Sequence, residues 1–208
     1  MAGLIFKDLI IIQRQIKSQA FIVLFLLIMA IVTQQSAILL TLVVFIVTMQ
    51  AMIALTYDEQ SKWDRYANTL PLTKGDIVLS KYILSFLLLM IGLIIALPLV
   101  LLIHFFTQQE IITDLFLNFS LIATLALCLL AVLLPIYIHF GSIKGRFVLM
   151  AFCFMPGALV SLFKEYLPNI TITLANLKQF VYITPFAGLF ILWLSSLLAT
   201  TIYQRKEF

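Results

Sequence analysis

Tyr57-Asp58-Glu59-Gln60-Ser61-Lys62-Trp63-Asp64-Arg65-Tyr66-Ala67-Asn68-Thr69-Leu70-Pro71-Leu72-Thr73-Lys74-Gly75-Asp76 is the one dense polar stretch of this chain. Long apolar runs stand on both sides of it. Eight of the 22 charged residues fall between Asp58 and Lys81. Of the 208 residues, 63% are apolar, and the mean hydropathy is +1.16. A soluble domain of this size would expose too much hydrocarbon. The composition therefore predicts an all-α polytopic membrane protein, a single transmembrane domain over residues 1–208. Charge concentrated in one loop of such a protein points to a soluble partner for that loop.

Working outward, the apolar runs cover about residues 18–32, 38–55, 77–106, 115–140, 147–163 and 185–203. A helix needs roughly 20 apolar residues to cross a ~30 Å hydrocarbon core. The first run is short and must begin earlier, near Ile16, or thin the bilayer. Six transmembrane helices put both termini on one side. Lys7, Arg14, Lys17, Lys62, Arg65, Lys74, Lys81, Lys144, Arg146, Arg205 and Lys206 share that side, and only Lys164 and Lys178 oppose them. Eleven against two makes it the cytoplasmic side of a plasma-membrane protein. The net charge of +4 thus reflects topology and not nucleic-acid binding. No Asp, Glu, Lys or Arg is placed inside a span. This argues against an ion-coupled carrier.

Residues 1–17 read as an amphipathic interface helix. Ile5, Leu9, Ile12 and Ile16 recur at helical spacing, with Lys7, Arg14 and Lys17 on another face. The absence of a small-residue cleavage motif after the first run predicts a retained N-terminus. Within the loop at 57–76, Asp58 is expected to cap a short helix, Glu59 to complement its positive end, and Asp58 to pair with Lys62 at i,i+4. Trp63 and Tyr66, three apart, share a face. They either lie on the headgroups as an aromatic belt or fill a groove on a partner. Asn68 and Pro71 end this helix. Thr73-Lys74-Gly75-Asp76 then forms a capping box that starts the next span. Residues 164–184 are too apolar for a solvated loop and too interrupted to span, so they read as an extracellular helical hairpin. The basic turn at 141–146, with Lys144 and Arg146, either sets topology or makes a second cytoplasmic contact. Cys128 and Cys153 lie in apolar runs with no disulfide or metal spacing. No metal site and no enzyme motif is visible, so the chain is expected to bind no cofactor and to catalyse nothing itself.

Tyr57-Asp58-Glu59-Gln60-Ser61-Lys62-Trp63-Asp64-Arg65-Tyr66, Leu70-Pro71-Leu72-Thr73-Lys74 and Val78-Leu79-Ser80-Lys81-Tyr82 together resemble the ABC-2 type transporter permeases of Gram-positive bacteria. The similarity is to the compact subfamily that includes phenol-soluble modulin exporter permeases. The resemblance implies a complex of two permeases, identical or paralogous, with two ABC ATPase subunits that carry ATP and Mg. It makes the loop between spans two and three a coupling helix, with Asp58, Glu59, Lys62, Trp63, Asp64, Arg65 and Tyr66 docking on the ATPase. It makes the outer hairpin, with Tyr166, Pro168, Phe180 and Tyr182, a lid over the exit. The implied function is export of an amphipathic substrate, such as a cytolytic or antimicrobial peptide, through a lining in contact with membrane lipid. The same loop would also suit a non-transporting immunity or regulatory partner protein.

Overall fold

The computed structural model describes residues 2–33, 36–67, 69, 71, 73–107, 112–163, 181 and 183–205. Side chains are described throughout these ranges except at 2, 64–65, 104–107, 112–114 and 152–163. The described residues form helices α1 (Ala2–Gln13), α2 (Ile16–Thr33), α3 (Ser36–Gln60), α4 (Trp63–Ala67), α5 (Lys74–Thr107), α6 (Ile112–Phe163) and α7 (Thr184–Gln204), with no strand among them. Five of these are long and apolar enough to cross a membrane: α2, α3, α5, α6 and α7. The chain is thus an all-helical, multi-pass membrane protein.

Each span begins where the local sequence starts it. α2 starts at Ile16 and its 18 residues reach about 27 Å at 1.5 Å per residue, nearly the full hydrocarbon thickness. α5 starts on the capping box. The Asp76 N–H donates to Thr73 Oγ1 at 3.1 Å, and the Thr73 N–H donates to Asp76 Oδ2 at 3.2 Å. Two otherwise orphaned donors are satisfied reciprocally. Thr73→Ala is expected to cost about 0.5–2 kcal/mol. In thermal unfolding of the detergent-solubilised chain this appears as a midpoint lowered by a few degrees. α7 opens with Pro185 in its first turn, where the missing N–H costs no hydrogen bond.

At 52 residues, α6 would be ~78 Å long, far more than one crossing. It is broken at Gly141, whose φ of 81° and ψ of 176° are non-helical. The chain turns sharply there. A Cβ on Gly145 would lie 2.5 Å from the ring of Tyr137, a contact that residues eight apart on a straight helix, ~12 Å along the axis, cannot make. The break falls at the first residue of the predicted turn. The second half of α6 carries the run predicted at 147–163, whose side chains beyond Ala151 lie outside those described. The connection at 164–184 also lies outside the described residues, except Val181, Ile183 and Thr184.

α3 is the central helix, with 56% of its apolar window buried against 6% for α2. It packs on α5 and α6, while α6 and α5 both pack on α7. Leu39, Leu40, Val43 and Val44 of α3 meet Leu89, Ala96 and Val100 of α5 and Leu130, Leu133 and Leu134 of α6 in one continuous core. Lipid offers no hydrophobic drive for helix pairing, so close approach and buried hydrogen bonds hold such a bundle. Gly188 supplies close approach: a Cβ there would sit 3.1 Å from Leu127. The hydroxyls of Tyr82 and Ser195 lie 2.8 Å apart, and Ser195 Oγ donates to Ala131 O at 2.5 Å, joining α5, α7 and α6.

The loop differs from expectation at its start. α3 runs on to Gln60, so Asp58 and Glu59 end a span and do not cap the short helix. Lys62 sits in the turn after α3 with φ 53°, and its side chain is exposed. The predicted Asp58–Lys62 pair does not form. The reason is that Asp58 has stronger partners on other helices.

Candidate functional site

α1 carries the first component. Leu4, Asp8 and Ile12 lie on successive turns and all three are buried. Of the predicted apolar face, Ile12 is buried with Ile5 and Leu9 packed in the same cluster, and only Ile16 is exposed; what the prediction lacked is the buried carboxylate of Asp8 beside it. α1 packs on α3 and α5, so it is part of the bundle as well as a surface helix.

Three charged side chains, Lys7, Asp58 and Lys81, close around Asp8 and make a four-membered cluster from three helices. Lys81 of α5 donates to Asp8 Oδ2 at 2.6 Å and also to Asp58 Oδ2. Lys7 of α1 donates to Asp58 Oδ1 at 2.5 Å. Its Nζ also stands 3.1 Å from Asp8 Oδ1, an ionic contact without hydrogen-bond alignment. Asp8 is fully buried, and the side chains of Asp58 and Lys81 are each 8% exposed. Two carboxylates alternate with two ammoniums, so the cluster is neutral as a unit. Neutrality and mutual hydrogen bonding are what make burial of the charges tolerable, because each would otherwise cost several kcal/mol to desolvate. The expectation that no Asp, Glu, Lys or Arg lies inside a span is thereby corrected: Asp58 and Lys81 both fall in span-length apolar helices. Lys81 is buried about two turns into α5 and Asp58 in the last turn of α3, where α1 supplies a second acid.

The cluster extends to the loop helix. Lys7 Nζ stands 4.0 Å from the ring centroid of Trp63, a cation–π contact worth about 0.5–2 kcal/mol depending on desolvation. Trp63 also packs against the main core. As its i,i+3 spacing predicts, its ring meets that of Tyr66, with centroids 5.2 Å apart. The two differ in access. Trp63 is half-buried, whereas Tyr66 is 57% exposed. Lys7 thus touches α1's own acid, the end of α3, and α4.

Glu59 joins α3 to the turn in α6. Its Oε2 accepts the Ser142 N–H at 2.5 Å, capping the helix that restarts after Gly141. Between this cap and the ion cluster lies a cavity of about 80 Å³, lined by Asp58, Glu59, Lys81, Tyr137, Ser142 and Tyr203 among others. That is room for ordered water beside groups able to bind it. Lys74 Nζ donates to the Gln204 carbonyl at 3.1 Å, which brings the end of α7 to the same end of the bundle.

Of the residues singled out from sequence, Asp58 is buried and Trp63 half-buried, Glu59 is exposed although its carboxylate reaches the Ser142 N–H, and Lys62, Tyr66, Lys144 and Arg146 are exposed. The side chains of Asp64 and Arg65 lie outside those described, as do Tyr166, Pro168, Phe180 and Tyr182. Sequence reasoning missed Asp8, and it placed Lys7 on the polar face of an interface helix and Lys81 among the topology-setting bases without giving either a partner. The available signal was that Asp8 is the single acid among the first 57 residues, one turn from apolar Leu4 and from Ile12. Among the described residues no group of three His, Cys, Asp or Glu could hold a metal ion. The arrangement ties α1, α3, α4, α5 and α6 together by charge. No nucleophile with an adjacent base is present in it.

A family model described as ABC-2 family transporter protein matches residues 3–204. No curated protein and no solved structure matches the chain.

Proposed function

The chain belongs to the ABC-2 family of transporter proteins, and from that membership we propose that it is the membrane-spanning permease subunit of an ATP-driven exporter. Hydrolysis takes place on separate ABC ATPase subunits, two per complex, which hold ATP and Mg. The complex contains a second permease, either another copy of this chain or a paralogue. Its cargo is an amphipathic molecule, with cytolytic or antimicrobial peptides the class suggested by the resemblance to modulin exporters of Gram-positive bacteria. The charged end of the bundle, with both termini, faces the cytoplasm of the cell, in line with the eleven basic residues on that side.

The observation that carries this proposal is the linkage from α4 to the bundle. α4 presents an exposed Tyr66, and its Trp63 is held by Lys7, which also binds Asp58. A push from a docked ATPase on α4 reaches α1, α3 and α5 through charges that cannot separate cheaply. That is the requirement for rigid tilting of spans between inward- and outward-facing states. Lys144 and Arg146, set on α6 beyond the Glu59 cap, offer a second contact to the same partner.

The test is affinity purification from mild detergent, scoring recovery of a P-loop ATPase and its hydrolysis. Tyr66→Ala is expected to reduce ATPase retention at least about tenfold, the effect of removing an aromatic anchor, with the thermal stability of the isolated chain unchanged. Trp63→Ala is expected to lower both. Full ATPase retention and transport in the Tyr66→Ala complex would refute the docking role. A wild-type eluate without ATPase, even after crosslinking in the membrane, would refute the exporter and favour the regulatory partner protein.

A further inference from the structure

α2 is the least covered of the spans, yet it does not lie flat on its neighbours. Between it and α1, α3 and α5 is a cavity of about 470 Å³, within the ~300–1,000 Å³ of small-molecule sites. Val23, Leu24 and Leu27 form one wall, and Leu88, Ile91 and Ile95 of α5 form the other. Among the described residues no charged side chain lines it. The polar residues lining it are Gln13, Gln19 and Gln50.

Gln50 is the informative one. It is 4% exposed in the middle of α3, and its Oε1 has no hydrogen-bond partner. A buried amide oxygen left unpaired is costly, and more so where no water is at hand. The oxygen accepts and does not donate, so a matching ligand must bring an O–H or N–H. The absence of lining charge selects an uncharged group, and the apolar walls select an alkyl chain.

We propose that this cavity binds a single-chain neutral amphiphile, its alkyl chain between α2 and α5 and a hydroxyl next to the chain donating to Gln50. The occupant is a membrane lipid of the monoacylglycerol type. Leu9 and Ile12 of α1 also line the cavity.

The experiment uses the full chain, purified without ATPase in nanodiscs, so its outcome is independent of transport. Binding of 1-oleoylglycerol is titrated beside methyl oleate, which has the same chain and no donor. Saturable binding at one site is expected, with methyl oleate weaker by about threefold to tenfold, the worth of one hydrogen bond. Gln50→Leu should remove that difference between the two probes. Leu24→Trp, a substitution on the lightly packed α2 that fills the cavity, should abolish binding of both and keeps the test open if Gln50→Leu fails to fold. Non-saturable uptake, equal affinity for the two probes in wild type, or unchanged binding in Leu24→Trp would each overturn the proposal.

Discussion

Asp58→Ala is expected to destabilise the isolated chain by about 3–5 kcal/mol, the effect of leaving a buried charge without its partner. For a chain of this length that is a loss of roughly 10 °C in the unfolding midpoint. In the native cluster Lys7 and Lys81 face Asp8 and Asp58, and all four are at least three-quarters covered. Removing Asp58 leaves two ammoniums on one carboxylate. Asp58→Asn should be nearly as damaging, because shape is kept and charge is not. Lys81→Met in the Asp58→Ala background should recover much of the loss, since the remaining Lys7 and Asp8 are again neutral together. The measurement is a double-mutant cycle by thermal unfolding in detergent. A docking residue on the surface would behave in the opposite way, with ATPase retention falling and the stability of the isolated chain unchanged. That pattern, or the absence of recovery by Lys81→Met, would remove the cluster from the account of coupling.

The second large effect is expected at Gly141. Its φ of 81° with ψ of 176° lies where side-chain-bearing residues are strained by about 1–3 kcal/mol. A Cβ there would also sit 2.6 Å from Glu59 Oε1. Glu59 cannot simply swing aside without releasing the Ser142 N–H, and loss of a cap adds about 1 kcal/mol. Gly141→Ala should therefore be clearly more damaging than Glu59→Ala in the same unfolding assay. The double variant separates the causes. Against a Glu59→Ala background, the further loss from Gly141→Ala is the backbone strain alone. A Gly141→Ala protein that unfolds at the wild-type temperature would show that the sharp turn in α6 is not built as described. In the assembled transporter the same variant would re-aim Lys144 and Arg146, which follow the turn.

Much of the architecture was legible because it is local or compositional. The extension of the first span back to Ile16 follows from bilayer thickness. The capping box at Thr73 and Asp76 follows from two residues three apart. The aromatic pair of α4 follows from helical spacing. The turn at Gly141 was visible as a break in an apolar run. Matters stood otherwise for Asp58 and Glu59. Their neighbours in sequence offered a plausible short helix with an i,i+4 ion pair, and nothing local argued against it. Asp8 carried only the weak sign of an acid set one helical turn from apolar residues, and that sign does not name a partner.

By itself the sequence determined that this is a multi-pass helical membrane protein, which stretches form its five long apolar helices, and which segment is densely charged. Hydrocarbon thickness and helical period decide those points, and both act within a few turns of chain. Only the tertiary structure decided that Asp58 binds Lys7 and Lys81, 51 and 23 positions away, that Lys81 reaches Asp8 across 73, and that Glu59 caps Ser142 across 83. A buried charge takes whichever counter-charge the packing of whole helices brings within reach, and that choice is made by the bundle and not by the neighbouring residues.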